Sequence, residues 1–599
     1  MSPGEAYGRF LTVGVKRALD AGAEAIYLEE PEFWVRGGYE PNFKKEWKAY
    51  YGDEWQPLHA SADAQYRGSK LKYYLYRRAL SQVFAFVREY EKAAGRRIPC
   101  YVPTHSLINY AHWRIVSPES SLLEVGCDGY IAQVWTGTSR TPNVYEGKLK
   151  ERTFETAFLE YGAMQNLVRA SGRRVWYLND PIEDDPNHSW DDYRRNWEST
   201  LTASLLQPEV WRYEIMPWPD RIFKGKYPAA EGKNGQRVGI SKAYETELQA
   251  VISALGEMKQ PAEAVKWEVC GTQQVGVLVS DTMMFQRGGP GASDAHLGSF
   301  YGLAMPLVKR GVAVEPVQIE TAGKPGFLGK YKVLLLTYEG QKPPTAAFHD
   351  VLAEWVRQGG ALVVVDDDKD PFHAVQEWWN KAPLAYKTPR EHLFKAMGLN
   401  ADKAGVFNVG KGVVVWETAS PAALTYQKEG ADRVRDLVKK AAGTVQVASK
   451  EANALVLRRG PYVIAAGLDE SLPDAAPLTL RGRFINLFAE DLPVLKEVTL
   501  TQGSRMLLVD LDTLPKSKQG VIAAACRVMD ENVVDDAIRF KAEGIAETNA
   551  VVRVLVSSMP KSVSVGGKPL ASEAYDWEEG TLRIRFGNTV EPQLVEIRK

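Results

Sequence analysis

The sequence predicts an α/β protein of three consecutive parts: a partial TIM-type β/α barrel, a doubly wound α/β domain and a C-terminal β-sandwich. Three observations predict it. Over residues 1–262, short apolar runs alternate with amphipathic helical stretches, the pattern of parallel βαβ units. Over 271–442 the alternation continues with tight Val- and Leu-rich strands, as in doubly wound sheets. Over 443–599 the helical period disappears, and short strands follow one another between turns, with a break near 515–520 that can split the sandwich. The length of 599 residues fits three or four domains at ~150 residues each.

The elements follow in order. Ser2 as N-cap, Pro3 at the first helical position and Glu5 closing a capping box predict a helix over 2–21. Strands are expected at 24–28, 98–103, 129–135, 174–178 and 210–215, and helices at 42–51, 71–94, 155–171, 190–206 and 241–257. In the second part, strands at 275–280, 312–319, 332–336 and 361–366 surround helices at 296–310, 346–358 and 431–442. The loop Gly288-Gly289-Pro290-Gly291 lacks the spacing of a phosphate loop. The third part offers strands at 454–458, 462–466, 497–501, 506–510, 551–557, 562–565 and 581–586.

Composition removes several function classes. Lys+Arg number 74 against 75 Asp+Glu, so no single-sign field attracts nucleic acid. No run reaches the ~18 apolar residues of a membrane span. Cys100, Cys127, Cys270 and Cys526 form no CxxC pair, and His105, His112 and His188 show no HxxxH spacing, so neither metal nor cofactor is expected. The start has no basic or apolar leader region, which places the chain in the cytoplasm if that start is genuine.

Sites in parallel α/β folds sit at the carboxyl ends of strands. The first strand runs into Glu29-Glu30-Pro31-Glu32-Phe33-Trp34, three carboxylates and two aromatics where one Glu can serve as a general acid; solvated acids at a helix start are the competing reading. The fourth runs into Asn179-Asp180-Pro181-Ile182-Glu183, a second acidic site or an Asx-rich helix cap. Glu214 lies inside the fifth strand, as a site residue or as half of an ion pair with Arg212 or Arg221. Eleven of the sixteen tryptophans precede residue 270; Trp34, Trp135, Trp176 and Trp218 lie in or just beyond strands, where an indole can stack on a sugar ring, with burial in the core as the competing reading for each. His105, just past the second strand, stands where a sugar hydroxyl can be bound; a satisfied structural histidine is the competing reading. Two carboxylates with many indoles point to glycoside hydrolysis.

This order of parts resembles the family 42 β-galactosidases and the related family 164, members of a barrel clan of retaining glycosidases. The second part carries the strongest likeness, at Gln274–Ser280, Tyr331–Leu336 and Glu354–Val365. The resemblance implies a non-catalytic amidotransferase-like domain that helps form trimers, and no nucleophilic Cys stands there for amidotransfer. Leu28-Glu29-Glu30-Pro31 looks like the clan's Asn-Glu-Pro at the end of strand four. Glu30 then takes the acid/base position, and Glu29 replaces an Asn that touches the sugar 2-hydroxyl. The implied nucleophile falls near Asn179 or Asp180, neither of which is Glu. Glu183 is the first choice and Glu214 its rival, with the paired carboxyls expected ~5–5.5 Å apart. The expected activity is retaining hydrolysis of a β-linked hexoside, of β-galactosidase or β-mannosidase type. The alternative is a non-catalytic carbohydrate-binding scaffold. By this count the visible strands are four to eight, and the first three would precede Met1.

Overall fold

The computed structural model describes every residue except 1, 135, 183–185, 217, 230–234 and 293. It is a mixed α/β chain that divides into two compact units. The first takes residues 1–134, 138–177 and 271–451; the second takes 135–137, 178–270 and 452–599.

In the first unit a parallel half barrel is built from Ile26–Tyr27, Cys100–Thr104, Gly129–Ala132 and Arg174–Asn179, side by side in chain order. The strand expected at 24–28 shrinks to two ladder residues, yet Leu28 and Glu30 N–H still donate to the Tyr101 and Pro103 carbonyls at 3.0 and 2.9 Å. The first helix runs Glu5–Asp20 behind Gly4, with no side-chain cap. The expected capping box is corrected: the helix starts behind Gly4, two residues past Ser2, and the Ser2 hydroxyl donates to the Glu40 carboxylate. The long helix begins at Ala62, not 71, where the Ser61 hydroxyl accepts from Ala64 N–H, and it closes at left-handed Gly95. Its first turns read as polar, but Gln65, Gly68 and Ser69 are buried, which hides the apolar period.

The doubly wound sheet follows in the same unit. Its order is Glu315–Gln318, Val275–Val279, Val333–Leu336, Ala361–Val365, Gly412–Glu417 and Gly405–Val409, all parallel except the last edge strand. The helix expected from 296 starts at Gly298, because His296 and Leu297 both sit in the left-handed region at φ 56° and 51°.

Helix Thr153–Arg169 belongs to the half barrel and is buried from Phe154 to Val168. Buried polar groups must be paired, and this helix finds its partners in the second sheet's part of the unit. Lys309 Nζ meets Glu155 at 2.6 Å, Asn166 accepts from Gln318 N–H at 2.8 Å, and Arg169 donates to Glu315 at 2.8 Å.

In the second unit the end of Arg174–Asn179 meets Tyr213–Ile215, where Met216 N–H donates to the Asn179 carbonyl at 3.0 Å. A six-stranded antiparallel sheet takes the order Val265–Val269, Ala454–Arg459, Tyr462–Gly467, Arg505–Asp510, Leu478–Asn486, Val494–Leu500. Beyond it, sheets of four and five strands enclose a core that includes Ile538, Phe540, Val552, Ile584 and Val595. Among the described residues no helix is long and apolar enough to cross a membrane.

The Glu155–Lys309 pair is 2% and 0% exposed. Removing one partner of a buried pair costs about 3–5 kcal/mol. Glu155→Ala is expected to destabilise the protein by that amount in urea unfolding, and Glu155→Gln by less.

Candidate active site

Three strand ends of the half barrel converge. The ladder hydrogen bond from Glu30 N–H to Pro103 carries Glu30 to the carboxyl edge, where its backbone turns left-handed at φ 45°. A glutamate in that region is strained and persists where the surroundings over-determine it. Next along the edge, His105 follows Thr104, and its ring is nearly buried against Tyr110 and Trp113, with centroids 5.3 and 5.2 Å away. Both aromatics stand on helix Leu107–Trp113, which is capped by Ser106. At the third strand end, Gln133 N–H donates to the Thr104 carbonyl at 2.8 Å.

The hydrogen bonds fix the tautomer. His105 Nδ1 lies 2.8 Å from the Gln133 carbonyl, which only accepts, so Nδ1 carries a proton. Nε2 then faces Glu30 Oε1 at 3.3 Å. The Gln133 side-chain amide donates to Glu29 Oε1 at 2.9 Å, so one residue orients both His105 and Glu29.

Glu32 sits beside this pair. Burial, together with the neighbouring Glu30 carboxylate, pushes its carboxyl up to about 7, against smaller opposing effects of His105 and the Tyr110 hydroxyl. One carboxyl oxygen each of Glu30 and Glu32 and one His105 nitrogen lie within 4.8 Å of one another. These groups form an acid/base cluster, and their donor set would also accept a divalent cation. Trp34, one residue beyond the buried Phe33, is 45% exposed, with the Arg36 guanidinium 5.0 Å from its ring centre.

The structure thus brings together Glu29, Glu30 and His105, with Trp34 further along the segment that bears Glu30. Glu183 and Trp135 lie outside the described residues. The other expected residues, Trp176 apart, belong to the second unit. There, buried Asn179 accepts from Trp197 Nε1 at 2.7 Å, and buried Asp180 is paired with Arg221. Glu214 is half-buried, and Trp218 is 62% exposed, with Arg221 at 5.0 Å from its ring. Trp176, half-buried in the first unit, packs edge-on against Tyr101. Sequence reasoning passed over Gln133 and Tyr110. Gln133 is three residues short of the helix at 136–139 and sits at a strand end, the one signal that marks it.

No protein-family model and no curated protein sequence matches the chain. Among solved structures it is similar to a cold-adapted β-galactosidase from Rahnella sp. R3, at 11% identity and a TM-score of 0.43, over 78% of this chain and 72% of that one. It is similar to a rhamnosidase from Novosphingobium sp. PP1Y, at 13% identity and a TM-score of 0.41, over 99% of this chain and 59% of that one. A third similarity is to α-L-fucosidase isoenzyme 2 from Paenibacillus thiaminolyticus, at 9% identity and a TM-score of 0.23, over 96% and 99% of the two chains. These neighbours are glycoside hydrolases, and similarities this distant assign neither family nor reaction to this chain.

The Glu32 environment has a stability signature. Its folded carboxyl holds a proton up to about 7, against an ordinary value of 4.5. Folding therefore favours the protonated form, and stability falls as pH rises through that window. Glu32→Gln cannot ionise, so its melting temperature relative to wild type is expected to rise between pH 4.5 and 7 and level off above, as read by thermal unfolding across a pH series.

Proposed function

We propose that the chain hydrolyses glycosidic bonds at the Glu30–Glu32–His105 cluster. The observation that carries this reading is the pairing of unlike carboxyls at one strand edge: Glu32 retains a proton toward neutral pH, and Glu30 stands against His105 within 4.8 Å of it. Glycoside hydrolysis needs one carboxyl to protonate the leaving oxygen and another to attack the anomeric carbon or activate water, and retaining enzymes hold the two ~5–5.5 Å apart.

In this proposal Glu32 delivers its proton to the glycosidic oxygen as the C–O bond breaks. Glu30, in place of the acid/base role that its likeness to the clan's Asn-Glu-Pro implies, takes the anomeric carbon, and water, deprotonated by Glu32, later releases the sugar. His105 fixes which Glu30 oxygen faces the substrate, and Trp34 offers its exposed indole to a sugar face. A β-linked hexoside is the proposed substrate class, on the strength of the resemblance at Glu29-Glu30-Pro31. Glu183, the second carboxylate expected from sequence, is the rival to this assignment of the Glu30–Glu32 pair.

A panel of aryl β-hexosides tests the reading. Glu30→Gln and Glu32→Gln are each expected to lower kcat/KM by ~10²-fold or more. In wild type, kcat/KM is expected to fall above pH 7 as Glu32 loses its proton. Full activity in Glu183→Gln supports the Glu30–Glu32 pair, whereas a loss equal to that of Glu30→Gln moves the second carboxylate to 183. Sugar binding without turnover across the panel overturns hydrolysis in favour of a binding scaffold.

A further inference from the structure

The carboxyl edge of the doubly wound sheet holds a second cluster, away from Glu30. Strand Ala361–Val365 runs straight into Asp366-Asp367-Asp368-Lys369-Asp370. Asp366 is pinned by two backbone donors, Tyr338 N–H at 2.6 Å and Asp368 N–H at 2.8 Å. Asp368 turns left-handed at φ 58°. Asp370 then caps the turn Pro371–Ala374 through Phe372 N–H, and that turn sets His373 over Asp366, with Nε2 4.0 Å from Oδ1.

The His373 side chain is only 6% exposed, and neither ring nitrogen has a hydrogen-bond partner among the described residues. A neutral imidazole presents one N–H and one lone pair. The neighbouring cations are already committed. The Lys342 ammonium spends its three protons on Asp370 at 2.8 Å and on the Tyr338 and Gln341 carbonyls at 2.5 and 3.1 Å. Arg390 forks onto Asp368 at 2.6 and 2.9 Å. The ring therefore faces carboxylate oxygens, which accept but do not donate. Asp366, Asp368 and Asp370 outnumber Lys342 and Arg390, leaving a negative surplus beside the ring.

We propose that Asp366, Asp368 and His373 bind a divalent transition-metal ion. One ligand atom from each lies within 4.8 Å of the others. One imidazole nitrogen with two carboxylates suits Zn²⁺, Co²⁺ or Mn²⁺, whereas Ca²⁺ and Mg²⁺ prefer oxygen alone. Around a tetrahedral Zn²⁺ with bonds of ~2.0–2.1 Å, ligand atoms stand ~3.4 Å apart. The 4.0 Å between Nε2 and Oδ1 thus closes by a fraction of an ångström on binding. The ion would tie the turn at 371–374 to the end of the central strand and stabilise the folded state by mass action.

The test uses the full chain, stripped with chelator, loaded with Zn²⁺ or Co²⁺ and freed of excess ion. Metal content is read by mass spectrometry, Co²⁺ coordination by visible absorption, and stability by melting temperature. Wild type and His105→Gln are expected to retain one equivalent and to melt higher when loaded; His373→Gln is expected to lose the ion, the Co²⁺ band and the shift. Asp368→Asn, whose amide oxygen still accepts from Arg390, is expected to bind Zn²⁺ at least tenfold more weakly in chelator competition, and it decides the matter if His373→Gln fails to fold by circular dichroism. A stripped wild type that takes up no ion overturns the proposal and leaves the ring to water. Unchanged binding in His373→Gln or Asp368→Asn overturns it equally, and loss of the ion in His105→Gln alone would move it to the Glu30 cluster.

Discussion

Helix Thr153–Arg169 imposes the governing constraint on the first unit. It is covered along nearly its whole length, yet it carries Glu155, Gln165, Asn166 and Arg169 into that covering. Each of these has to be answered inside the protein, because a buried polar group left alone costs far more than a satisfied one gains. The answers come from Lys309, Glu315, Tyr331 and the Gln318 backbone. Half barrel and doubly wound sheet are thus fixed to each other by directional bonds as well as apolar contact. Apolar packing alone would tolerate sliding; the carboxylate of Glu315, held by Arg169 and the Tyr331 hydroxyl, does not. Glu160, on the same helix, is pushed up to about 8 by burial.

The candidate active site inherits that rigidity through backbone ladders. Glu30, His105 and Gln133 are successive strand ends, linked by the Glu30–Pro103 and Gln133–Thr104 hydrogen bonds. Gln133 ties them across the edge, with its carbonyl on His105 and its amide on Glu29. Unlike environments for two nearby carboxyls are what separate an acid from its partner, and burial divides this pair: Glu32 lies toward the protein, and the Glu30 side chain is 41% exposed.

Much of this architecture is legible in the residues alone. The alternation of helix and strand predicts the half barrel, and reading strand ends leads directly to Glu29, Glu30 and His105. What stays hidden has physical causes. The early start of helix Ala62–Ala94 is concealed because its buried face carries Gln65, Gly68 and Ser69 instead of an apolar stripe. The edge strand Val265–Val269 alternates half-buried and exposed residues, a pattern too weak to separate from a linker. The hairpin Gly405–Val409 and Gly412–Glu417 turns through left-handed Gly410 amid sequence that resembles the parallel strands around it. Asp366, Asp368 and His373 escape a search for HxxxH because a strand end and a short turn, not a helix face, bring them together. Gln133 reaches His105 through its backbone carbonyl, which no side-chain motif records.

The left-handed Glu30 has one more consequence. A non-glycine residue there carries a conformational penalty of about 1–2 kcal/mol that glycine would not. By backbone energetics alone this chain would be better off without a side chain at position 30. That the position bears a carboxylate makes it a place where stability and chemistry pull in opposite directions, so selection for stability alone would tend to erase the residue.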